Sequence, residues 1–460
     1  MKRSLCVALA LALSPAVHAQ QGDGTDVATE AHTFKPAKVD ASDERIATLK
    51  IPPGFSIKPF AKDLLNVRVI VVAPDGTVYA SRRDQGDVIM MRDTDGDGVA
   101  DGPPVEVAHR AGAHGLAIHD GKFYLATVKE VFAAPINPDG TLGDLTLLLG
   151  DLPDGGQHPN RTLAFGPDGM LYISAGSTCN ACNESNPEAA TILRATPDGK
   201  SRTIFASGLR NTIGYAWHPT TGELWGMDHG IDYLGNDVQE EELNLIQKGK
   251  QYGWPHVFAD GGINPQSTPP GEISKDQWKG MSVPMVAGYT AHAAPMQMVF
   301  YSGSSFPKGY SGSAFVSMRG SWNRKPASGY ELVRIPFNNG KPGKPEPFVT
   351  GFLSDGGMTH FARPMGLAIA ADGSLLLGDD ANGVIYRIAY KDSGRSVQVK
   401  PPAKAMINQA KVGIGVPLAL ARGETAATRK ITLTSATVAA DKAIPVKHSE
   451  YADGVSPALQ

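Results

Sequence analysis

One short phrase returns six times along this 460-residue chain and limits its fold more than any other feature. An apolar run leads into a tight turn, most often Asp-Gly, and a second apolar run leads back. Val69-Ile70-Val71-Val72 reaches Asp75-Gly76 and returns as Val78-Tyr79-Ala80. Leu116-Ala117-Ile118 turns at Asp120-Gly121 into Phe123-Tyr124-Leu125, and Leu163-Ala164-Phe165 turns at Asp168-Gly169 into Leu171-Tyr172-Ile173. Tyr215-Ala216-Trp217 returns as Leu224-Trp225, and Leu367-Ala368-Ile369 turns at Asp372-Gly373 into Leu375-Leu376-Leu377. A weaker copy runs from Met298-Val299-Phe300 through Pro307 and Gly309 to Ala314-Phe315-Val316. Each copy is hairpin chemistry. Further strands follow most copies, such as Val88–Met91 and Val384–Ile388. A recurrence of roughly 45 to 50 residues with several short strands is the period of a propeller blade. The expected fold is therefore all-β, a six-bladed β-propeller over residues 51–390 with a C-terminal extension, its later spacings stretched by an insertion at Val257 to Pro295. Two packed sheets are the alternative, but they do not predict one hairpin signature returning so regularly.

Composition agrees: 52 Gly and 34 Pro favour a turn-rich chain, and 42% apolar with 19% charged residues is globular. A net charge of −3 offers no footprint for nucleic acid or an anionic membrane. Residues 1–20 read as a signal peptide, with Lys2-Arg3 before a short apolar core and Val17-His18-Ala19 at its end, so the expected location is periplasmic or secreted, without membrane insertion. Residues 21–50 read as an extended lead-in. Of three cysteines, Cys6 leaves with the leader, and Cys179-Asn180-Ala181-Cys182 suits a local disulfide better than a redox or zinc centre.

The stretch Gly208–His256 carries the densest chemistry. It holds Arg210-Asn211, then Asp228-His229-Gly230, then an acidic loop through Asp232, Asp237, Glu240, Glu241 and Glu242, and closes on Tyr252-Gly253-Trp254-Pro255. Such an oxygen-rich loop suits calcium, a hard cation that also accepts backbone carbonyls. The succession Arg-Asn, His-Gly, Glu-Leu-Asn-Leu-Ile and Tyr-Gly-Trp-Pro resembles the soluble glucose/sorbosone dehydrogenases that depend on pyrroloquinoline quinone (PQQ).

The resemblance implies two cofactors, PQQ and calcium, a small sugar substrate, and a soluble electron acceptor such as a cytochrome c. It implies a catalytic base at His158, within Gly156-Gln157-His158-Pro159-Asn160-Arg161, and assistance from Arg210. Cations for a tricarboxylate quinone fall at Arg210-Asn211, Arg319 and Arg363, because a guanidinium pairs with carboxylate in two-pronged fashion. The plainer reading pairs each Arg with a neighbouring Asp, and makes His158 a loop residue in a turn hydrogen bond. His114 stands where relatives carry a cofactor-contacting Gln, and His can donate a similar bond. His229 reads as structural. Calcium falls to the backbone of Gly230 and Ile231, where relatives commonly carry Pro second, with Glu242 and Tyr252 as further candidates.

A second metal candidate is the loop carrying Asp93, Asp95, Asp97 and Asp101. Its alternating carboxylates and Gly98 match the first half of an EF-hand loop, yet Pro104 replaces the closing Glu. A structural calcium or an empty acidic turn both fit. Residues 391–429 read as a linker. Residues 430–460 resemble the opening strands of a bacterial phosphatidylethanolamine-binding-like domain, making the chain either a piece of a longer fusion or the bearer of a relic. The function expected is hydride transfer from an aldose or sorbosone-like sugar to PQQ. A calcium-dependent lactonase-type hydrolase and a non-catalytic sugar-binding propeller are the competing classes.

Overall fold

The structure, a computed structural model, describes residues 30 and 32–391. The expected leader at 1–20, all but Lys391 of the expected linker and the tail at 430–460 lie outside the described residues. So does the question of whether the chain is a piece of a fusion.

Among the described residues the chain forms six four-stranded antiparallel sheets. Each is a meander whose first two strands are the hairpin read from the sequence. The first sheet is Val67–Val72, Val78–Arg82, Asp87–Met91 and Val105–His109, and the second is Gly115–His119, Lys122–Ala126, Val131–Pro135 and Thr146–Leu149. The third is Leu163–Phe165, Leu171–Ala175, Thr191–Ala195 and Arg202–Ser207. Gly214–Trp217, Leu224–Asp228, Glu241–Ile246 and Ala287–Tyr289 make the fourth. The fifth is Pro295–Phe300, Ala314–Met318, Glu331–Ile335 and Glu346–Val349. The sixth joins Pro364–Ile369, Leu375–Asp379 and Ile385–Tyr390 to Phe55–Ala61 from the other end of the described chain, with Phe55 opposite Tyr390.

Five of the six hairpins turn at a glycine with positive φ, for instance Gly76 at 89° and Gly373 at 81°, a conformation that costs glycine nothing. The weaker copy differs. Its first two strands are joined by a longer connection containing a short 3-10 helix, Lys308–Tyr310, which explains its blurred signature.

Both faces of every sheet are apolar because every sheet is covered on both sides. One cluster packs Val69, Tyr79 and Met90 of the first sheet on Leu116, Phe123 and Leu125 of the second. Further clusters join second to third, third to fourth, fourth to fifth and fifth to sixth, and one built on Phe60, Leu376 and Ile385 with Val67 and Ile70 joins the sixth back to the first. Burial of this kind stabilises by about 25 cal/mol per Å² of apolar surface.

The described residues of the lead-in include a short helix, Asp43–Ile46, and are pinned to the sheets. Phe34 N–H donates to Trp322 O (3.0 Å), and Ala37–Lys38 pairs in parallel with Thr359–His360. The insertion after the fourth sheet's third strand carries a helix, Lys275–Met281, capped reciprocally by Ser274 and Gln277. Its boundary shifts: Ala287–Tyr289 is the fourth sheet's last strand and Pro295 already belongs to the fifth sheet. No described helix is long and apolar enough to cross a membrane.

Candidate active site

In an antiparallel hairpin the start of the first strand and the end of the second lie at the same end of the sheet. His114 directly precedes a first strand, as Arg363 does, while His158 and Arg210-Asn211 stand within five residues of one. His229 and Arg319 directly follow second strands. All these predicted residues therefore share one end of their sheets, joined there by Arg68, Arg83 and Asp380.

On the third and fourth sheets the site is a closed hydrogen-bond network. Asp228, the last residue of its strand, accepts Arg210 N–H (2.7 Å), Asn211 N–H (2.8 Å) and Thr212 Oγ1–H (2.8 Å), which fixes the Arg-Asn turn. Burial pushes this carboxyl up to about 6. Arg210 Nε donates to Asn180 O (3.0 Å), and its Nη2 donates to Asn180 Oδ1 (2.9 Å) and Asp232 Oδ2 (2.9 Å). Among the described residues no hydrogen bond reaches Arg210 Nη1. Cys179 and Cys182 form the expected disulfide around Asn180. The insertion supports the same residue through Gln266 Oε1, which accepts from Asn180 Nδ2 (3.0 Å).

His158 is half-buried, and its Nδ1 lies 2.9 Å from Ser177 O and 2.8 Å from Ser177 Oγ. A carbonyl oxygen only accepts, so Nδ1 carries the proton and Nε2 keeps its lone pair. Burial, then the neighbouring charge of Arg210, holds the ring well below its ordinary pKa. A Cβ added at Gly176 would fall 2.6 Å from His158 Cβ and 2.9 Å from Asn211 Oδ1, so His158 and Asn211 meet over a residue that must lack a side chain. His229 donates from Nε2 to Pro295 O and accepts from Asn211 Nδ2 at 3.4 Å through Nδ1. Burial lowers it to about 4.

The adjoining loop leaves two carbonyls without a hydrogen-bond donor among the described residues. Ile231 N–H donates to Gln239 Oε1 (3.0 Å), and Asp232 N–H donates to Asn180 Oδ1 (2.9 Å). In a trans peptide the C=O opposes the N–H, so the carbonyls of Gly230 and Ile231 point away from those partners. Among the described residues neither carbonyl accepts a hydrogen bond, the condition a backbone cation ligand requires. Glu242 and Tyr252 are placed differently from the sequence expectation. Glu242 Oε1 accepts from Gln239 Nε2 and Ala259 N–H, so it braces the loop from behind. Tyr252 OH donates to Leu245 O and accepts Gln247 N–H, closing its own turn. Neither is free to face Gly230.

Sheets five, six and one bring three guanidiniums, Arg68, Arg319 and Arg363, to bear on one carboxylate, Asp380. Arg68 Nη1 and Arg319 Nε (2.6 Å) both donate to Asp380 Oδ2. Burial alone would raise Asp380, but Arg319 and Arg68 outweigh it and hold the carboxylate below its ordinary range. Arg363 has only carbonyls, Arg319 O (3.3 Å) and Gly320 O (2.6 Å), beneath the face of Tyr330, and burial followed by Arg319 lowers it to about 10. The plain Arg–Asp pairing thus holds for Arg210 and Arg319 and not for Arg363. His114 corrects another expectation: its Nδ1 donates to Arg161 O (2.8 Å), leaving Nε2 as a buried acceptor without a partner, so it offers no donor in place of Gln.

Sequence reasoning missed Arg68, Arg83, Asp380, Asn180 and Ser177. Two of them left a signal, since Arg68 interrupts an apolar run and Asp379-Asp380 ends one.

Asp93, Asp95 and Asp101 gather their carboxylates on the loop between the first sheet's last two strands, the opposite end from the site. Asp97 stays out of that group and accepts Val99 N–H (2.8 Å), while Asp93 accepts from Gly96 and Gly98. This acidic cluster plays no part in the site.

A family model described as TrAA12-like matches residues 49–391. An uncharacterised protein of Borreliella burgdorferi is 27% identical over 367 residues, 76% of this chain and 93% of its own length. A pyrroloquinoline quinone-dependent sugar dehydrogenase of Hypocrea jecorina is 24% identical over 335 residues, 61% of this chain and 74% of its own. Among solved structures, the calcium structure of the Trichoderma reesei carbohydrate-active enzyme family AA12 superposes with a TM-score of 0.65 at 19% identity, covering 74% of this chain and 97% of that one. The likeness to quinone-dependent sugar dehydrogenases seen in the motifs thus extends across all six sheets, and the chain belongs to the TrAA12-like family.

Proposed function

We propose that this protein is an exported PQQ- and calcium-dependent dehydrogenase that oxidises an aldose or sorbosone-like sugar. In this reading the six sheets are the blades of a propeller, with the site at one end of its axis. The sequence of apolar clusters, returning from the sixth sheet to the first, supports that arrangement. The observation that carries the function is the combination of a lone-pair nitrogen, two carbonyls that accept no hydrogen bond among the described residues and several under-partnered guanidiniums at one end of the sheets.

Arg68, Arg319 and Arg363 would hold the carboxylates of the quinone, and Gly230 O with Ile231 O would hold calcium. When bound, the quinone supplies the hydride acceptor and calcium a Lewis acid beside it. His158 Nε2 takes the proton of the sugar hydroxyl on the carbon being oxidised, while that carbon gives up its hydride. Ser177 keeps the ring in the tautomer that can do so. Arg210 Nη1, the nitrogen of its guanidinium left unbonded, donates to the oxygen on which negative charge develops. Asn180 and Asp232 hold that guanidinium still.

The test adds PQQ and calcium, singly and together, to the purified chain and follows reduction of an electron-accepting dye by aldoses. Turnover that requires both additions is the expected result. Lactone hydrolysis with calcium alone, and no aldose oxidation, would assign the site to the hydrolase class instead.

A further inference from the structure

One covalently closed turn supports both of the groups assigned to the chemistry. Cys179 and Cys182 form their disulfide shortly beyond the third sheet's second strand, Leu171–Ala175. The segment leading into it holds the base. Ser177 O accepts from His158 Nδ1 (2.9 Å), and Thr178 O accepts Gln157 N–H (2.9 Å). A Cβ added at Gly156 would fall 2.3 Å from Thr178 O, so the loop carrying His158 lies directly on this segment. The same segment and the ring hold the arginine. Ser177 N–H donates to Arg210 O (2.7 Å), and inside the ring Asn180 gives its O to Arg210 Nε and its Oδ1 to Arg210 Nη2. His158 stands before the third sheet and Arg210 before the fourth, so the turn spans the gap between them.

Closing so short a ring adds little to global stability, because the entropy taken from the unfolded chain grows with the length of the loop closed. Its effect is local. Cys179 and Ala181 are buried in one apolar cluster with Ile231 and Trp254. Asn180 between them is fully buried, and both polar atoms of its side chain are engaged. Its Oδ1 also accepts Asp232 N–H (2.9 Å), and its Nδ2 donates to Asp232 O (3.2 Å) and Gln266 Oε1 (3.0 Å). The Ser177 hydroxyl donates to Cys179 O (2.7 Å), which ties the base's segment to the ring. A misplacement of about 1 Å can cost on the order of a hundredfold in rate. A constraint too small to decide folding is therefore large enough to decide turnover.

We propose that the Cys179–Cys182 disulfide is a positioning device: it fixes Asn180, and thereby the placement of the Arg210 guanidinium relative to His158, without holding the cofactor. This rests on the quinone reading above. Opening the bond is a two-electron exchange with a dithiol. One thiolate of the dithiol attacks Sγ of Cys182, the half-buried member of the pair, and the sulfur–sulfur bond breaks toward Cys179, which leaves as thiolate and takes a proton from water. The dithiol's second thiolate then displaces the sulfur of Cys182, which is protonated in turn. The dithiol ends as a disulfide and the protein with two thiols, and Asn180 is left on its hydrogen bonds alone.

Turnover of an aldose by the full chain, set beside PQQ affinity measured by calorimetry with calcium present, tests the assignment. Cys179→Ser combined with Cys182→Ser should lower kcat about ten- to a hundredfold and leave the Kd for PQQ unchanged. Its melting temperature should fall only slightly. Wild type reduced by a dithiol, and freed of it before quinone and calcium are added, should show the same loss of kcat, and reoxidation should reverse it. Full turnover in the reduced wild type, its two thiols counted, overturns the positioning role whatever the double variant does, and leaves the quinone reading standing. So does a quinone affinity that falls in step with kcat, the mark of a merely structural bond. A wild-type chain that takes up no PQQ overturns both.

Discussion

On the side of sheets three and four, Arg210 is held by two oxygens of Asn180 and one of Asp232, and each backbone N–H around it has a named acceptor. Across the site, Arg68 and Arg319 share one carboxylate, Arg363 reaches only carbonyls, and Arg68 Nε, Asp380 Oδ1 and His114 Nε2 are buried without partners. The two halves use similar residue types to opposite ends. The satisfied half is rigid before anything binds, as suits groups that must meet a reacting atom. The unsatisfied half keeps three guanidiniums around one carboxylate, a surplus of positive charge suited to an anionic ligand.

The comparison breaks most visibly at His158. His158→Ala should lower turnover with saturating quinone and calcium by about a hundred- to ten-thousandfold, while quinone affinity stays as it was. Full sugar oxidation in that variant would remove the base from the rigid half. Asp380→Asn comes next. It leaves Arg68 and Arg319 facing each other with no counter-charge, and loss of one partner of a buried pair costs about 3–5 kcal/mol, read as a fall in melting temperature. Added PQQ should restore part of that loss by supplying carboxylates; no restoration would mean that the cations do not face the ligand. Arg363→Ala should weaken quinone binding about tenfold or more, with a smaller change in melting temperature, since carbonyl contacts and the face of Tyr330 are lost but no ion pair.

The smallest effect separates the halves by pH. Burial and Arg210 hold His158 well below 6.5, so the ring stays unprotonated through neutral pH and gains its proton only on further acidification. The acid limb of kcat/KM should therefore lie below pH 6.5. The hydrogen bond that favours the protonated ring runs from Nδ1 to the backbone carbonyl of Ser177, which Ala retains, so Ser177→Ala should leave that limb near its wild-type position. A limb at or above pH 6.5 would show that another group is titrating.

Much of the satisfied half was readable from the chain because its parts are local. Arg210-Asn211, Asp228-His229-Gly230 and the acidic run lie within fifty residues, and the hairpin phrase locates them at strand ends. The architecture was readable for a similar reason, since a two-residue alternation and a glycine turn are written into each repeat. The other half is assembled from residues 68, 83, 114, 319, 363 and 380, which no short-range pattern connects. Glu242 and Tyr252 show the same limit from the other direction: an acid in an acidic loop invites a metal role, yet strand alternation turned it toward Gln239 and Ala259. His114 shows a third, because its donor was claimed by Arg161 O, a carbonyl 47 residues away.

A crystal structure of the chain soaked with PQQ and calcium tests the central claim most directly. The account predicts calcium on the carbonyls of Gly230 and Ile231, and quinone carboxylates on the arginines of the unsatisfied half, with Nε2 of His158 open to the sugar. Quinone bound away from these arginines, or calcium found only among Asp93, Asp95 and Asp101, would contradict it.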